Sequence, residues 1–265
     1  DFRDPWTDID FYDQLKLTRR ADAIHRKLEK QVLSAADLVV SVSWSNREKL
    51  LEKSRAKIEV VTNGFDEDDL PTQEIALNEK FSIVHVGTFM ANRNAEALWK
   101  VIAEMVAEDK SFSDRLELNF VGKTDATIMS DIQKAGLETY IKLFDQVSHA
   151  EAVKIQQAAR VLLLCVNRTG DSKGMVTGKV YEYMASGRPI LAISPPAGDL
   201  AHILKETSTG VISDFEDEAS MKAQIMQLFQ AYLAGNDNTV KRDIGKYSRK
   251  NLAGQMATCL NKISQ

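Results

Sequence analysis

The chain has 265 residues, 44% of them hydrophobic and 27% charged, with a formal net charge of −4. That is enough for one large domain, or one and a half smaller ones, with a sizeable core. The acidic balance and the lack of a polybasic run argue against a nucleic-acid binder, and no apolar stretch reaches the ~20 residues of a membrane-spanning helix.

The opening run Asp1-Phe2-Arg3-Asp4-Pro5-Trp6 carries no initiator methionine and reads as the interior of a longer structure. A helix is expected over 13–34, where Leu17, Ala21, Ile24, Leu28 and Val32 step by three and four along one face. Residues 37–42 read as a short buried strand. Ser45 followed by Glu48 has capping-box spacing for a helix to about Glu52. A second strand is expected over 58–61, with a turn at Asn63-Gly64. Residues 66–80 are acidic, weakly patterned and broken by Pro71, which predicts a linker.

From Phe81 onward strands and helices alternate. Strands are expected over 81–86, 116–121, 141–144, 161–166 and 189–193, and helices over 95–108, 126–135, 148–159 and 179–185. The stretch 216–263 reads as helical, with breaks near Gly235 and Tyr247. Such alternation predicts an α/β fold: a Rossmann-like parallel sheet with helices on both faces. Residues 1–66, with two strands only, read as the tail of a preceding Rossmann-like domain, because two strands are marginal without a larger sheet. Ligands of such sheets bind beyond the carboxyl ends of the strands.

Three expected strand ends carry candidate chemistry. In Gly87-Thr88-Phe89-Met90-Ala91-Asn92-Arg93-Asn94, the glycine lets backbone approach a ligand and Arg93 is placed to hold a phosphate. The simpler reading is a plain strand–helix turn with a solvated arginine. In 174–191, Thr177-Gly178 opens a helix on which Lys179 and Glu182 share one face. A lysine at a helix start opposes the helix dipole, which an anion would relieve. The simpler reading there is a surface Lys–Glu pair. Pro195-Pro196-Ala197-Gly198-Asp199-Leu200 reads as a connection. A G-x-G-x-x-G fingerprint is absent, which weakens a nicotinamide or flavin assignment.

Three runs at the front (1–7, 36–43 and 60–66), then Gly87 through Arg93, Gly122, and Lys179 through Pro189, together resemble the landmarks of the retaining glycosyltransferases related to sucrose and glycogen synthases, in the same order. The resemblance implies a two-Rossmann-domain (GT-B) architecture. It makes 1–66 the tail of the acceptor domain, 67–80 a linker, 81–235 the nucleotide-sugar donor domain and 236–265 C-terminal helices. It places Arg93 and Lys179 on the donor diphosphate and Glu182 on the ribose, as the second glutamate of a Glu–seven residues–Glu motif. Gly87, Thr88, Thr177 and Gly178 would complete the donor site. Two positions depart from the family pattern: Gly174 stands where the first glutamate would fall, and Thr88 where many members have an arginine.

The resemblance thus implies transfer of a sugar from a nucleoside diphosphate to a carbohydrate or lipid-linked acceptor, in polysaccharide biosynthesis, with no further cofactor and no metal. The alternatives are a non-catalytic nucleotide-sugar-binding module and a sugar-nucleotide epimerase. Cys165 and Cys259 form no C-x-x-C pair and suit a reducing cytoplasm, with Cys165 a buried thiol in its apolar run. Peripheral membrane contact and self-association of the chain are compatible with this reading. His25, His85, His149 and His202 show no metal spacing, Trp44 and Trp99 read as packing, and Asp4 and Trp6 are candidates for an interdomain cleft.

Overall fold

The computed structural model describes residues 1–69, 75–169, 172–236 and 243–264. Pro71 lies outside the described residues. After a short 3-10 turn at Tyr12–Leu15, the front segment contains α1 (Arg19–Ala35), β1 (Val39–Ser41), α2 (Trp44–Lys53) and β2 (Ile58–Val60). The two strands pair in parallel, Val39 opposite Ile58. Leu33, Val39, Leu50 and Ile58 form a small core beneath them.

The helix expected from residue 13 begins only at Arg19. Thr18 caps it, accepting the Ala21 N–H, and Lys16 interrupts the chain before it in a left-handed conformation (φ 48°). Most of the apolar stripe is exposed, Ile24 at 47%, Leu28 at 41% and Val32 at 46%, while Leu17 and Ala21 are half-buried. The buried positions of α1 are Leu33 and, unexpectedly, Glu29. The Glu29 carboxylate accepts hydrogen bonds from the Thr7 N–H (3.1 Å), the Thr7 hydroxyl (2.7 Å) and Lys53 Nζ (2.9 Å). Lys53 in turn meets Asp8 at 2.7 Å.

The cap of α2 is Ser43 rather than Ser45: Ser43 Oγ accepts the Asn46 N–H at 3.3 Å. Ser45 is drawn away by a distant carboxylate, its N–H and hydroxyl each donating to one oxygen of Asp199 at 2.9 Å.

The larger body holds β3 (Phe81–Val86), α3 (Glu96–Glu108), α4 (Lys110–Arg115), β4 (Leu116–Val121), α5 (Ala126–Lys134), β5 (Ile141–Phe144), α6 (His149–Ala158), β6 (Val161–Cys165), α7 (Lys179–Ala185), β7 (Ile190–Ile193), α8 (Asp199–Thr207), β8 (Gly210–Ser213), α9 (Glu218–Leu233) and α10 (Arg249–Ile263). Six strands form one parallel sheet in the order β5-β4-β3-β6-β7-β8. Strands β3, β4, β6 and β7 are buried along their whole length, as continuous apolar runs covered on both faces must be. One core packs α3, α4, α5 and α9 on one face of the sheet. The other packs α7 and α8 on the opposite face.

The sequence reading missed α4, α8 and β8. Residues 195–200, expected as a connection, run into the start of α8, which has no side-chain cap and places Leu200, Ile203 and Leu204 at helical spacing in the core.

Gly64, expected as a turn, serves close approach instead. A Cβ there would collide with the Tyr247 carbonyl oxygen, where the chain returns to bridge Phe65 and Ser248. Phe65 N–H donates to Tyr247 O (3.1 Å), and Arg249 N–H donates to Phe65 O (2.8 Å), so α10 starts against the front segment.

Candidate functional site

The sheet grows one way from β3 through β4 to β5, and the other way from β6 through β7 to β8. The reversal between β3 and β6 makes a topological switch point, where loops leave in opposite directions and a crevice opens. The loops leaving these strand ends are 87–95 and 166–178, the two with the most candidate residues.

The β3–β6 ladder consists of Ile83 opposite Val161 and Val84 opposite Leu162, after which the strands part. His85, 1% exposed, fills the gap. Its Nδ1 lies 3.1 Å from the Leu163 carbonyl oxygen. A carbonyl only accepts, so Nδ1 carries the proton. Burial, then the charge of Lys179, pushes the imidazole pKa down to about 3, which keeps the ring neutral and leaves a lone pair on Nε2. Lys179 Nζ sits 3.3 Å from that nitrogen and donates to it. Phe89 stacks on the ring, with centroids 4.2 Å apart and planes at 22°. The result is a buried pedestal that aims an ammonium at the mouth of the crevice.

Gly87 is needed for this arrangement. It has φ 97°, and a Cβ on it would lie 3.0 Å from Lys179 Cε and Nζ. Gly122, at the end of β4 with φ 99°, packs against the Gly87 backbone. Thr88 is exposed and contributes its carbonyl, 3.5 Å from Lys179 Nζ. The Lys179 pKa falls to about 8, first through burial and second through the positive charge of Arg93. The reading of Lys179 and Glu182 as a surface ion pair does not hold: Lys179 makes no ion pair among the described residues and reaches toward β3 instead.

Arg93 closes the other side. Its Nε donates to Asn167 Oδ1 at 2.7 Å, and Asn167 Nδ2 donates to Asp10 Oδ2 at 2.8 Å. The chain Arg93–Asn167–Asp10 therefore ties both switch-point loops to the front segment. Arg93 makes no ion pair of its own among the described residues. Two cations that feel each other's charge thus stand at the crevice, neither in an ion pair among the described residues.

Gly178 precedes α7 without a side-chain cap. The Thr177 hydroxyl oxygen is enclosed and has no hydrogen-bond partner among the described residues. Glu182, one turn along α7, accepts from Gln156 Nε2 at 3.4 Å. It faces a cavity of about 110 Å³ lined also by Gly64, Phe65, His149 and Arg249. A second cavity, of about 170 Å³, lies beyond the ends of β3 and β4, between Val86, Gly87, Gly122, Val147 and Ala152. A third, of about 130 Å³, lies between Asp4, Asp10, Asn46 and Gly174. Of the two front residues offered for a cleft, Asp4 is in this one; Trp6 packs near His25 instead, with centroids 6.3 Å apart.

Burial pushes the Cys165 thiol up to about 12, so it stays protonated. Trp44 packs edge-on to His202 (5.0 Å between centroids), and Trp99 is buried with its Nε1–H on Asn94. Sequence reasoning missed His85, Asn167 and Asn46. A signal existed for the first two: each is a polar residue at or just past the end of an apolar strand. For Asn46 there was none, because its neighbour in the site, Gly174, is remote in sequence.

A family profile described as glycosyl transferases group 1 matches residues 80–231. No curated protein sequence matches the chain. Among solved structures, sucrose-phosphate synthase from Thermosynechococcus elongatus superposes with a TM-score of 0.68 at 17% identity, over 94% of this chain and 65% of that one. A glycosyltransferase from Rickettsia africae gives 0.69 at 13% identity, over 91% and 67%. HepE from Anabaena, solved in complex with UDP, gives 0.66 at 15% identity, over 94% and 69%. The chain therefore spans less than two thirds of the sucrose-phosphate synthase it resembles. At these identities the likeness is one of fold, and the α/β fold expected from the strand–helix alternation is the fold shared with these structures.

Proposed function

This chain belongs to the glycosyl transferases group 1 family, and on that premise we propose that it holds the donor of a glycosyltransferase, passing a sugar from a nucleoside diphosphate to an acceptor hydroxyl with retained anomeric configuration. The observation that carries the reading is the convergence of Arg93 and Lys179 on the switch-point crevice, where neither makes an ion pair among the described residues and only the more distant charge of Glu182 favours the ammonium. Burial first, and the positive charge of Arg93 second, lower the Lys179 pKa, and a bound anion would offset both. A diphosphate fits the vacancy in charge. Its departure as a leaving group is what two fixed cations in a partly dry site stabilise.

The remaining donor parts follow by adjacency. Glu182 and its cavity suit a ribose diol, whose hydroxyls donate to a carboxylate. The apolar walls of the cavity beyond β3 and β4 suit a flat base. The Thr177 hydroxyl, without a partner among the described residues and beside Gly178, could meet a phosphate oxygen once its side chain turns outward. Residues 1–66 would be the tail of an acceptor-side domain and 81–235 the donor domain, with the acceptor a carbohydrate or a lipid-linked saccharide. Among the described residues no helix is long and apolar enough to cross a membrane.

Calorimetric titration with UDP, GDP and ADP tests the reading. One nucleotide should bind selectively, and Lys179→Ala and Glu182→Ala should each weaken it tenfold or more. No binding, or binding indifferent to both substitutions, would overturn it. In turnover with acceptor, Arg93→Ala or Lys179→Ala should slow transfer by about a hundredfold, the usual effect of losing one donor to a developing anion. Nucleotide binding with no transfer to any acceptor would favour the non-catalytic module, and interconversion of free sugar nucleotides the epimerase.

A further inference from the structure

Strand β3 carries an imidazole where a sheet covered on both faces calls for an apolar side chain. Val84 and Val86 flank His85, and all three are buried. On one side His85 keeps register with Phe120 of β4. On the other, the ladder to β6 has ended at Val84 opposite Leu162. A leucine would fill this gap without taking two ring nitrogens out of water, a cost that stands unless each finds a partner. Each does, and the partners differ in kind: the Leu163 carbonyl at 3.1 Å from Nδ1, and Lys179 Nζ at 3.3 Å from Nε2.

The first bond fixes the ring. Nδ1–H reaches across the opened ladder to β6, and Phe89 stacks on the imidazole with centroids 4.2 Å apart. The second bond decides where the lysine ends. A lysine is a point charge on a flexible four-carbon stem, so its ammonium stays where something accepts from it. The Thr88 carbonyl is farther away, at 3.5 Å, and belongs to an exposed residue. Arg93 repels the ammonium, and the Cys165 thiol is protonated. Glu182 attracts it from the same helix, with no hydrogen bond between them among the described residues. Tyr183, also on α7, is engaged by the Val86 N–H at 3.0 Å. The rigid acceptor for Lys179 is therefore His85 Nε2.

We propose that His85 is a positioning residue for the donor: its neutral ring holds the Lys179 ammonium at the strand end, so that the charge stands in place before the diphosphate arrives. The inference rests on the donor-site reading and concerns a residue that does not itself touch the ligand. A cation already aimed at the leaving group needs no reorganisation when charge develops there, which is where such a group gains its effect. The passage from α7 to β3 is kept open by Gly87, since a Cβ there would lie 3.0 Å from both Cε and Nζ of Lys179. The glycine and the imidazole thus serve one placement, one by leaving room and the other by accepting the hydrogen bond.

Two amide substitutions separate the two bonds. His85→Gln puts a carbonyl oxygen near the place of Nε2 and keeps an acceptor for Lys179. His85→Asn, one carbon shorter, puts an N–H near the place of Nδ1 and keeps only the bond to Leu163. Each variant is titrated calorimetrically with UDP, GDP and ADP at a series of pH values. At neutral pH, His85→Gln should bind the preferred nucleotide within about threefold of wild type, and His85→Asn about tenfold more weakly. The alkaline fall in affinity, centred near pH 8 in the wild type, should move down by about one unit in His85→Asn, since a hydrogen bond to the charged form favours that form. If His85→Asn binds as wild type does and His85→Gln is the weaker, the ring only closes the gap between β3 and β6, and the proposal is overturned. Equal losses in both with an unmoved pH midpoint overturn it too. Should either variant fail to fold, Lys179→Met leaves the ring in place. The 15N resonance of His85 Nε2 should then move toward that of an unbonded lone pair, and a resonance that stays put sinks the role. If the wild-type protein binds no nucleotide, the donor-site reading fails, while the 15N shift still reads the bond between His85 and Lys179.

Discussion

Lys179 keeps its charge in a setting that opposes it, half-buried and near a second cation, with a neutral imidazole as its main partner. With a pKa near 8 the free site loses half its ammonium at mildly alkaline pH. Nucleoside-diphosphate affinity should therefore be steady below pH 7 and fall as pH rises through 8 to 9, with Lys179→Met abolishing the slope; titrations at a series of pH values read this. His85 gives the opposite window. Its folded pKa of about 3 lies below the ordinary 6.5, so the unfolded chain takes up a proton first. Stability should hold above pH 6.5 and decline as pH falls from there toward 3. Urea unfolding at pH 7 and 4.5 should show a smaller difference for His85→Leu than for wild type. The sequence made Arg93, Lys179 and Glu182 legible as candidates, because Arg93 lies in the loop after a strand-ending glycine and Lys179 and Glu182 share the first turn of a helix opened by Gly178. It left His85 as an ordinary strand residue, since nothing local shows that Lys179 passes over Gly87 to reach it.

Among the elements, those with continuous apolar runs or a capping serine were legible. The strands β3, β4 and β6 and the helix α6, whose Ser148 accepts the Glu151 N–H at 3.3 Å, formed where they were expected. Elements decided by distant partners were not. Ser45 has the spacing of a cap and is instead recruited by Asp199. Gly64 has the context of a turn and is instead required by a carbonyl 183 positions later. Gly64→Ala should therefore destabilise the chain by about 3 kcal/mol, at the upper end for overpacking because backbone rather than a mobile side chain stands in the way. Thermal unfolding measures the loss, and hydrogen exchange should locate it in α10 and residues 58–66. Glu29, a buried carboxylate on α1, joins Thr7 and Lys53 within the front segment. Its replacement by alanine should cost about 2 kcal/mol or more, since it strands a buried N–H and hydroxyl and removes a partner of Lys53. Glu29→Ala unfolding by urea checks this.

For the molecule as a whole, the face of α1 bearing Ile24, Leu28 and Val32 is uncovered among the described residues, and Phe11 and Leu15 add to the apolar exposure of this segment. Replacing those three α1 residues by lysine or glutamate should change stability by less than about 0.5 kcal/mol each, as at surface positions, and lower any concentration-dependent light scattering. Destabilisation comparable to a core substitution would show that the face is covered in solution. By itself the sequence determined that this is a parallel α/β protein, and it put its candidate residues at strand ends. Apolar runs of strand length separated by helical periods have one way to bury both faces, and glycines after strands mark where backbone turns sharply. Only the tertiary structure decided that β3 and β6 are neighbours, that they part after two pairs of residues, and that Arg93, Lys179, His85 and Asn167 meet in the gap. Strand order depends on crossovers packing against the whole sheet, and contacts across such distances leave no local pattern in the chain.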